Sequence, residues 1–257
     1  MAGVLKETDG AVGILTLDEP ATLNAMTPDL LEGLTRAVGA MTDDPSIRAL
    51  VLTGAGRGFC SGQNLKMAGL FADGLVDGVM KSYWPAFKAL RECRVPVVVA
   101  VNGVAAGGGF SLAMAGDFVL AARSATFIQV FSRIGLVPDL GSTWMLPRLI
   151  GRQRALELMM LNEPCTAERA KTLGIVREVF DDADLMAEAR AFARRLAEGP
   201  TRALLATRQL IEQGERASFD EQFLRELQVQ SELRQGHDAL EGRAAFVEKR
   251  KARFVGR

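Results

Sequence analysis

The sequence predicts an α/β fold, because apolar strand segments alternate with amphipathic helices along its first two thirds. Two segments are continuous apolar runs, Ile47–Thr53 and Val95–Val101, and Phe118–Ala122 is a shorter third. Runs of this kind are typical of strands buried on both faces of a mostly parallel sheet. We therefore expect a mostly parallel sheet that is covered by helices.

The first elements are marked by strand and capping residues. Gly13–Asp18 has the composition of a strand. Thr27 can cap a helix, Pro28 suits its first position, and Asp29 places an acid in the first turn. These signals predict a helix from this point to about residue 42.

Helical patterns predominate after residue 151, where Ile175–Phe180 is the one predicted strand. The predicted helices are Arg152–Leu161, Thr166–Leu173, Leu185–Ala197, Thr201–Gln213, Ala217–Leu233 and Asp238–Phe254. No stretch between the two parts resembles a long linker. We therefore expect an α/β core with an appended helical segment, not two independent domains.

Composition excludes several functional classes. The chain is 48% hydrophobic and 24% charged, as in an ordinary globular protein. Its 31 basic and 31 acidic residues leave no net charge, so a nucleic-acid partner is not expected. Cys60, Cys93 and Cys165 are far apart and form no CxxC pair, which predicts reduced thiols without a disulfide framework or a zinc site.

No targeting or membrane segment is predicted. Charge appears at Lys6, before any long apolar run, unlike a secretory signal. The uncharged stretch Val95–Gly116 contains Pro96, Asn102 and many glycines, which predict a buried strand, a turn and a buried helix instead of a membrane span. We expect a soluble, cytoplasmic protein.

Two glycine-rich turns follow predicted strands, at residues 53–65 and 102–112. Phe59 occupies the place of the third glycine of a dinucleotide-binding motif, and neither turn continues as a P-loop. Gly107–Gly109 precedes an apolar helix, where backbone N–H groups could stabilise a negative oxygen as an oxyanion hole. A close helix–strand crossing would require the same glycines, so both explanations remain open.

Ser111 lies in a near match to the nucleophile elbow of serine hydrolases. However, the predicted strand ends ten positions earlier, at Val101, whereas an elbow serine directly follows its strand. His237 is the only histidine and lies near a predicted helix start. These observations argue against a hydrolase.

Asp139 is the most promising acid–base candidate. It lies in an apolar stretch, residues 134–144, that has turn residues on both sides. In an apolar pocket, desolvation would raise its pKa towards the working pH, as a carboxylate that shuttles protons requires. Alternatively, Asp139 makes an Asx turn or caps the helix that starts near Gly141.

Five segments, in order, resemble the crotonase superfamily, also called the enoyl-CoA hydratase/isomerase family. They are Leu23–Met26, Gly58–Leu65, Val101–Gly109, Ile134–Pro138 and Glu241–Arg250, and together they extend over almost the whole chain. The resemblance implies a spiral of ββα units over residues 1–195. It also implies a helical region over residues 196–257 that forms a homotrimer or a dimer of trimers.

The resemblance further implies an acyl-CoA thioester substrate, with no metal and no cofactor other than the coenzyme A of the substrate. The backbone N–H groups of Gln63 and Gly108 would bind the thioester oxygen. Phe246 and Lys249 match tail positions that contact coenzyme A across a subunit interface in relatives. The implied substrate-binding residues are Ala25, Ser61, Gln63, Asn64, Leu65, Lys66, Gly107, Gly108, Phe246 and Lys249.

The sequence departs from the family's hydratases at the positions of their two glutamates, which are Ser111 and Phe131 here. Neither side chain can exchange a proton at neutral pH. Asp139 resembles instead the aspartate of the family's isomerases, most closely the 1,2-epoxyphenylacetyl-CoA isomerases of phenylacetate degradation. One carboxylate suffices for isomerisation, because the proton removed from one carbon is returned to another.

We therefore expect an isomerase that shifts a double bond or rearranges an epoxide, with Asp139 as the proton shuttle. A hydratase with a carboxylate from elsewhere and a non-catalytic acyl-CoA-binding protein are the alternatives. A dehalogenase of the 4-chlorobenzoyl-CoA type is not expected, because it also requires a histidine and His237 lies near the tail. Residues 67–82 are expected to help form the wall around the acyl group.

Overall fold

The computed structural model describes residues 3–64 and 74–257. Its strands are β1 (Gly3–Asp9), β2 (Val12–Asp18), β3 (Ala49–Gly54), β4 (Gly58–Cys60), β5 (Val97–Val101), β6 (Val104–Ala106), β7 (Phe118–Ala122), β8 (Thr126–Ile128), β9 (Cys165–Thr166) and β10 (Glu178–Phe180).

The helices begin with α1 (Pro28–Asp43), α2 (Leu75–Ser82), α3 (Trp84–Arg91), α4 (Gly108–Ala113), α5 (Ser142–Ile150) and α6 (Arg152–Leu161). They continue with α7 (Ala167–Leu173), α8 (Leu185–Ala197), α9 (Thr201–Gly214), α10 (Phe219–Leu233) and α11 (His237–Glu248). Two short 3-10 turns occur at Pro20–Thr22 and Phe131–Ile134.

The larger sheet has the order β1-β2-β3-β5-β7-β10, and all its neighbours are parallel except β1 and β2. Every residue of β3 and β5 is buried, which confirms the predicted parallel sheet. The edge strand β1 pairs with β2 from Gly3 opposite Asp18 to Asp9 opposite Val12. The strand β1 was not predicted from the sequence, because most of its residues are exposed and it carries no apolar run.

A second, smaller sheet has the order β4-β6-β8-β9. Its strands contain only two or three residues, too few for a periodic pattern to predict them. Gly58 pairs with Val104 and Cys60 with Ala105, so this sheet brings the two glycine-rich turns side by side. It is the element that assembles the candidate site.

The predicted start of α1 is confirmed. The Thr27 hydroxyl accepts a hydrogen bond from the Leu30 N–H at 3.1 Å, and Pro28 is the first helical residue. The uncharged stretch 95–116 forms the predicted buried strand, β5, and buried helix, α4, and the segment between them contains a short strand, β6, that was not predicted. Over residues 3–64 and 74–257, no helix is both long and apolar enough to cross a membrane.

The last helix predicted from the sequence, Asp238–Phe254, extends beyond the observed helix α11. α11 ends at Glu248, and Lys249 takes a left-handed φ of 55°. The remaining tail lies against the core, where the Arg48 guanidinium donates to the Phe254 carbonyl oxygen at 2.7 Å. The Asp238 carboxylate accepts hydrogen bonds from the backbone N–H groups of residues 255 and 256. These side chains satisfy the tail backbone, so helical hydrogen bonds are not needed there.

Candidate active site

The segment that carries Gln63 pairs with the chain around Met26. The Met26 N–H donates to the Gly62 carbonyl oxygen at 2.7 Å, and the Asn64 N–H donates to the Met26 carbonyl oxygen at 3.1 Å. In this parallel pairing, the residue between the two bonded positions directs its own N–H to the opposite side. The Gln63 N–H is therefore turned away from Met26.

The opposite side is where α4 begins. A Cβ atom at Gly62, which has a φ of +87°, would lie 2.7 Å from the Ala106 carbonyl oxygen and 3.4 Å from the Gly108 nitrogen. Gly108 is the first residue of α4, so its N–H has no acceptor within the helix. The structure thus brings the Gln63 and Gly108 segments together, as an oxyanion hole requires.

The glycines are also required by close packing. A Cβ atom at Gly108 would overlap Met26 Cε and lie 2.9 Å from Leu140 Cδ1. A Cβ atom at Gly109 would overlap the Cys60 carbonyl oxygen. The structure therefore confirms that close packing requires these glycines, and this requirement is compatible with a role of the Gly108 N–H as an oxyanion donor.

Two asparagines hold the turn that leads into β4, and sequence reasoning missed both. The Asn24 amide donates to the carbonyl oxygens of Ala55 at 3.0 Å and Gly58 at 2.8 Å. Asn102 accepts from the Gly54 N–H at 3.1 Å. Each asparagine lies inside a recognised motif, which was the available signal for a positioning role.

Asp139 lies in the loop before α5 and is joined to α4 through its backbone. Its carbonyl oxygen accepts hydrogen bonds from the Ser111 hydroxyl at 3.2 Å and the Ser142 N–H at 3.0 Å. The next residue, Leu140, has a φ of 50°, and its side chain packs against Gly108. The loop that carries Asp139 therefore contacts the start of α4.

The Asp139 side chain is accessible to solvent but surrounded by enough protein to lose part of its hydration. This desolvation raises the pKa of Asp139, and a hydrogen bond from its own N–H offsets part of the rise. The predicted direction of the shift is confirmed. The alternative capping role is not observed, since Gly141 is the N-cap residue of α5 and no side chain caps that helix.

Tyr83 is a further residue that the sequence analysis missed. Its side chain is buried, and burial, together with the carboxylate of Asp139, raises the pKa of Tyr83 to about 12. The phenol thus stays protonated at neutral pH. Its electrostatic coupling to Asp139 places it near the candidate acid–base group.

The structure places the other residues that the sequence singled out, Ser111, His237 and Phe131, in positions without an evident proton-transfer role. Ser111 is fully buried inside α4 and donates to a backbone carbonyl, which is not the arrangement of a nucleophile elbow. His237 is at the start of α11, half exposed and 3.2 Å from the Asp238 carboxylate. The Phe131 ring is buried and packs near Gly107.

The other predicted binding residues fall into two groups. Ala25, Ser61 and Asn64 lie on the paired segments beside Gln63, where the Ser61 hydroxyl donates to the Thr22 carbonyl oxygen at 2.9 Å. Phe246, which is 85% exposed, and Lys249 lie at the end of α11. Leu65, Lys66 and residues 67–73 of the expected acyl wall lie outside the described residues.

Comparison with known proteins agrees with this architecture. Residues 7–257 match the family model described as "Enoyl-CoA hydratase/isomerase". The chain is similar to a 1,2-epoxyphenylacetyl-CoA isomerase of Escherichia coli, with 40% identity over 100% of both chains. It is also similar to a "Probable enoyl-CoA hydratase" of Rhodobacter capsulatus, with 40% identity over 98% of this chain and 97% of that one.

Among solved structures, an enoyl-CoA hydratase from a Polaromonas species superposes with a TM-score of 0.92. The two sequences are 33% identical, and the match covers 98% of this chain and 99% of the other. The fold is therefore the α/β crotonase fold with its two sheets and C-terminal helices. The chain belongs to the enoyl-CoA hydratase/isomerase family.

Proposed function

We propose that the protein is an acyl-CoA isomerase in which Asp139 moves a proton along the acyl chain. One observation carries this proposal. Asp139 is a carboxyl group with a raised pKa beside the start of α4, whereas positions 111 and 131 hold a serine and a phenylalanine. A single carboxylate supports proton return to the substrate more readily than addition of water, which requires a second group.

The proposed reaction begins at the thioester carbonyl. The N–H groups of Gln63 and Gly108 bind its oxygen and stabilise the negative charge that develops there. The Asp139 carboxylate takes a proton from the acyl chain, and the electron pair of that C–H bond enters a dienolate. The protonated Asp139 then returns the proton to a different carbon, so the double bond moves into conjugation with the carbonyl.

The same backbone donors and the Asp139 carboxylate could also act on an epoxide substrate. The oxyanion donors stabilise the enolate form of the thioester, and Asp139 exchanges a proton with the carbon skeleton during ring rearrangement. The name of the Escherichia coli relative, a 1,2-epoxyphenylacetyl-CoA isomerase, supports this version. The name of the Rhodobacter capsulatus relative favours the second candidate, an enoyl-CoA hydratase, which would need a carboxylate from elsewhere in the chain, because positions 111 and 131 hold a serine and a phenylalanine.

The coenzyme A part of the substrate is proposed to bind along the backbone of residues 63–66, with Ala25 and Ser61 beside it. We also propose a homotrimer or a dimer of trimers, in which Phe246 and Lys249 contact coenzyme A bound to a neighbouring subunit. Exposed apolar side chains on the C-terminal helices support an oligomer. They include Ile211, Phe219, Phe223, Leu227 and Leu240.

The decisive experiment follows the conjugated enoyl-thioester absorbance after cis-3-enoyl-CoA is added. We expect turnover in the natural protein and a loss of about 10²- to 10⁴-fold in kcat for Asp139→Asn. Asp184→Asn is the matched control, because Asp184 is exposed at the start of α8 and makes no capping hydrogen bond. It should retain full activity.

Two other outcomes would replace the proposal. Addition of water to crotonyl-CoA that persists in Asp139→Asn would identify a hydratase. Tight binding of enoyl-CoA and epoxyphenylacetyl-CoA thioesters, without turnover of either, would identify a non-catalytic binding protein.

A further inference from the structure

A cavity of about 380 Å³ lies beside the loop that carries Asp139. Leu140, which follows Asp139 and packs against Gly108, forms part of its wall. We call this space the acyl cavity, because Leu140 and Gly141, which follow the proposed acid–base residue Asp139, line it. Most of its lining is apolar: Met80, Trp84, Phe87, Leu140, Trp144 and Met145.

A second cavity, of about 540 Å³, lies between α9 and the core, and we call it the α9 groove. It too is mainly apolar, with a lining that includes Met114, Leu149, Leu196, Leu204 and Ile211. Arg91, Trp144 and Met145 line both cavities. The Trp144 indole is the largest apolar group that separates them.

The Trp144 indole contacts two cations. The Arg148 Cζ atom lies 4.1 Å from the ring centroid of Trp144, and the Arg91 Cζ atom lies 5.0 Å from it. Both distances are within the range of a cation–π interaction. Arg148 Nη1 also donates to the Trp144 carbonyl oxygen at 2.9 Å.

Each cation is in turn paired with a glutamate at the end of α9. Arg91 lies 2.7 Å from the Glu212 carboxylate, and Arg148 lies 2.8 Å from that of Glu215. The indole is therefore restrained by groups from α3, α5 and the end of α9. To rotate out of the way of a longer acyl chain, it would have to lose both cation contacts.

We propose that Trp144 is a specificity-determining residue that sets the upper length of the acyl group. Apolar acyl groups of medium length, or groups that end in a ring, fit the acyl cavity, whereas longer chains meet the indole. This inference rests on the acyl-CoA site proposed above. Replacing Trp144 with alanine would join the acyl cavity to the α9 groove and remove the limit.

The test measures the Kd of saturated acyl-CoA thioesters, from butanoyl-CoA to tetradecanoyl-CoA, by calorimetry. Each methylene that enters an apolar cavity should tighten binding by about fourfold. In the natural protein, we expect this gain to stop at an intermediate length. In Trp144→Ala, and to a lesser extent in Trp144→Leu, the gain should continue over several further methylenes.

Trp84→Ala is the matched control, because Trp84 lines the acyl cavity but not the α9 groove. It should weaken the binding of thioesters of every chain length without changing the length at which the gain in affinity stops. The inference is overturned if affinity in the natural protein keeps rising up to tetradecanoyl-CoA. It is also overturned if the gain in affinity stops at the same chain length in the natural protein and in both Trp144 variants.

Saturated thioesters cannot be isomerised, so this measurement does not depend on the role of Asp139. If Asp139→Asn keeps the same length profile but isomerase activity is never observed, the proposed reaction fails while the role of Trp144 stands. If isomerase activity is present and the break does not depend on Trp144, the reverse holds. Absence of binding by every thioester would overturn both.

Discussion

The Ser111 hydroxyl donates a hydrogen bond to the main-chain carbonyl of Asp139 across 3.2 Å. Ser111 stands where the sequence resemblance places a hydratase glutamate, and here its hydroxyl holds the loop that carries Asp139. Ser111 is fully buried, so this hydrogen bond is shielded from water and connects α4 directly to the candidate acid–base loop.

Ser111→Ala should therefore affect the chemical step more than binding. The loss of one hydrogen bond corresponds to about 1 kcal/mol, or roughly a fivefold fall in kcat if the loop shifts, with little change in KM. The free energy of unfolding should fall by about 0.5–1.5 kcal/mol. Steady-state kinetics and urea unfolding measure both effects.

Ser231→Ala, on the exposed surface of α10, is the control and should change neither quantity. Unchanged kcat in Ser111→Ala, despite the loss of stability, would limit Ser111 to a packing role.

The raised pKa of Asp139 predicts how activity depends on pH. Asp139 must be ionised to accept a proton, so kcat/KM should rise with pH through a pKa above the usual value of 3.8. This acidic limb should be absent from the residual activity of Asp139→Asn. An acidic limb at or below 3.8 in the natural protein would contradict the desolvation of this carboxyl group.

The same raised pKa predicts how the stability of the fold depends on pH. A carboxylate in an ion pair stabilises a fold more as pH rises, whereas Asp139 should stabilise it less. Because folding raises the pKa of Asp139, its contribution to stability is fully present below 3.8 and is lost as pH rises through the raised pKa. Asparagine does not ionise. Asp139→Asn should therefore be more stable than the natural protein at neutral pH, and this gain should shrink in acid.

Thermal unfolding of both proteins across the acidic range measures this difference. Equal stability at neutral pH, or a gain that does not depend on pH, would show that ionised Asp139 is not destabilised by the fold.

The sequence predicted the features that depend on local chemistry or long apolar runs. The α1 cap at Thr27, the parallel strands β3, β5 and β7, and the raised pKa of Asp139 are examples. Each follows from residues that are adjacent in the chain. The extent of α11 was wrong, because its end is decided by distant partners of the tail, such as Arg48.

The features that assemble the candidate site were not predictable in the same way. The small sheet consists of strands of two or three residues, and Asn24 bonds to Gly58, 34 positions away. Tyr83 interacts electrostatically with Asp139, although the two residues are 56 positions apart in the sequence. A pattern read along one chain holds no information on such pairs unless a family resemblance supplies it.

Gly108→Ala tests the oxyanion donor. The new Cβ would overlap Met26 Cε, the flexible end of a side chain, and would lie 2.9 Å from Leu140 Cδ1. We expect a folded protein in which the donor and the Asp139 loop are displaced, with kcat reduced by about 10²- to 10³-fold.

Gly39→Ala in α1 is its control, because nothing lies within 4 Å of a Cβ atom there. It should leave activity unchanged and raise stability by about 0.5–1 kcal/mol. Retention of full activity by Gly108→Ala would exclude this N–H as a donor.

Asn24 is predicted to determine the stability of the turn that precedes β4. It is fully buried, with a left-handed φ of 56°, and it bonds three backbone groups, those of Glu19, Ala55 and Gly58. Asn24→Ala leaves these groups without their partner, so unfolding should become easier by at least about 2 kcal/mol. This loss should not depend on pH.

Asn24→Asp tests the amide donor alone, because aspartate has nearly the same size and shape as asparagine but no N–H group in its side chain. The aspartate can still accept from the Glu19 N–H, but a carboxylate oxygen would then face the carbonyl oxygens of Ala55 and Gly58, which now accept from the amide. Protonation restores one donor, so Asn24→Asp should be destabilised more at neutral pH than in acid. Equal unfolding free energies at both pH values would show that these two carbonyl groups do not require the amide donor.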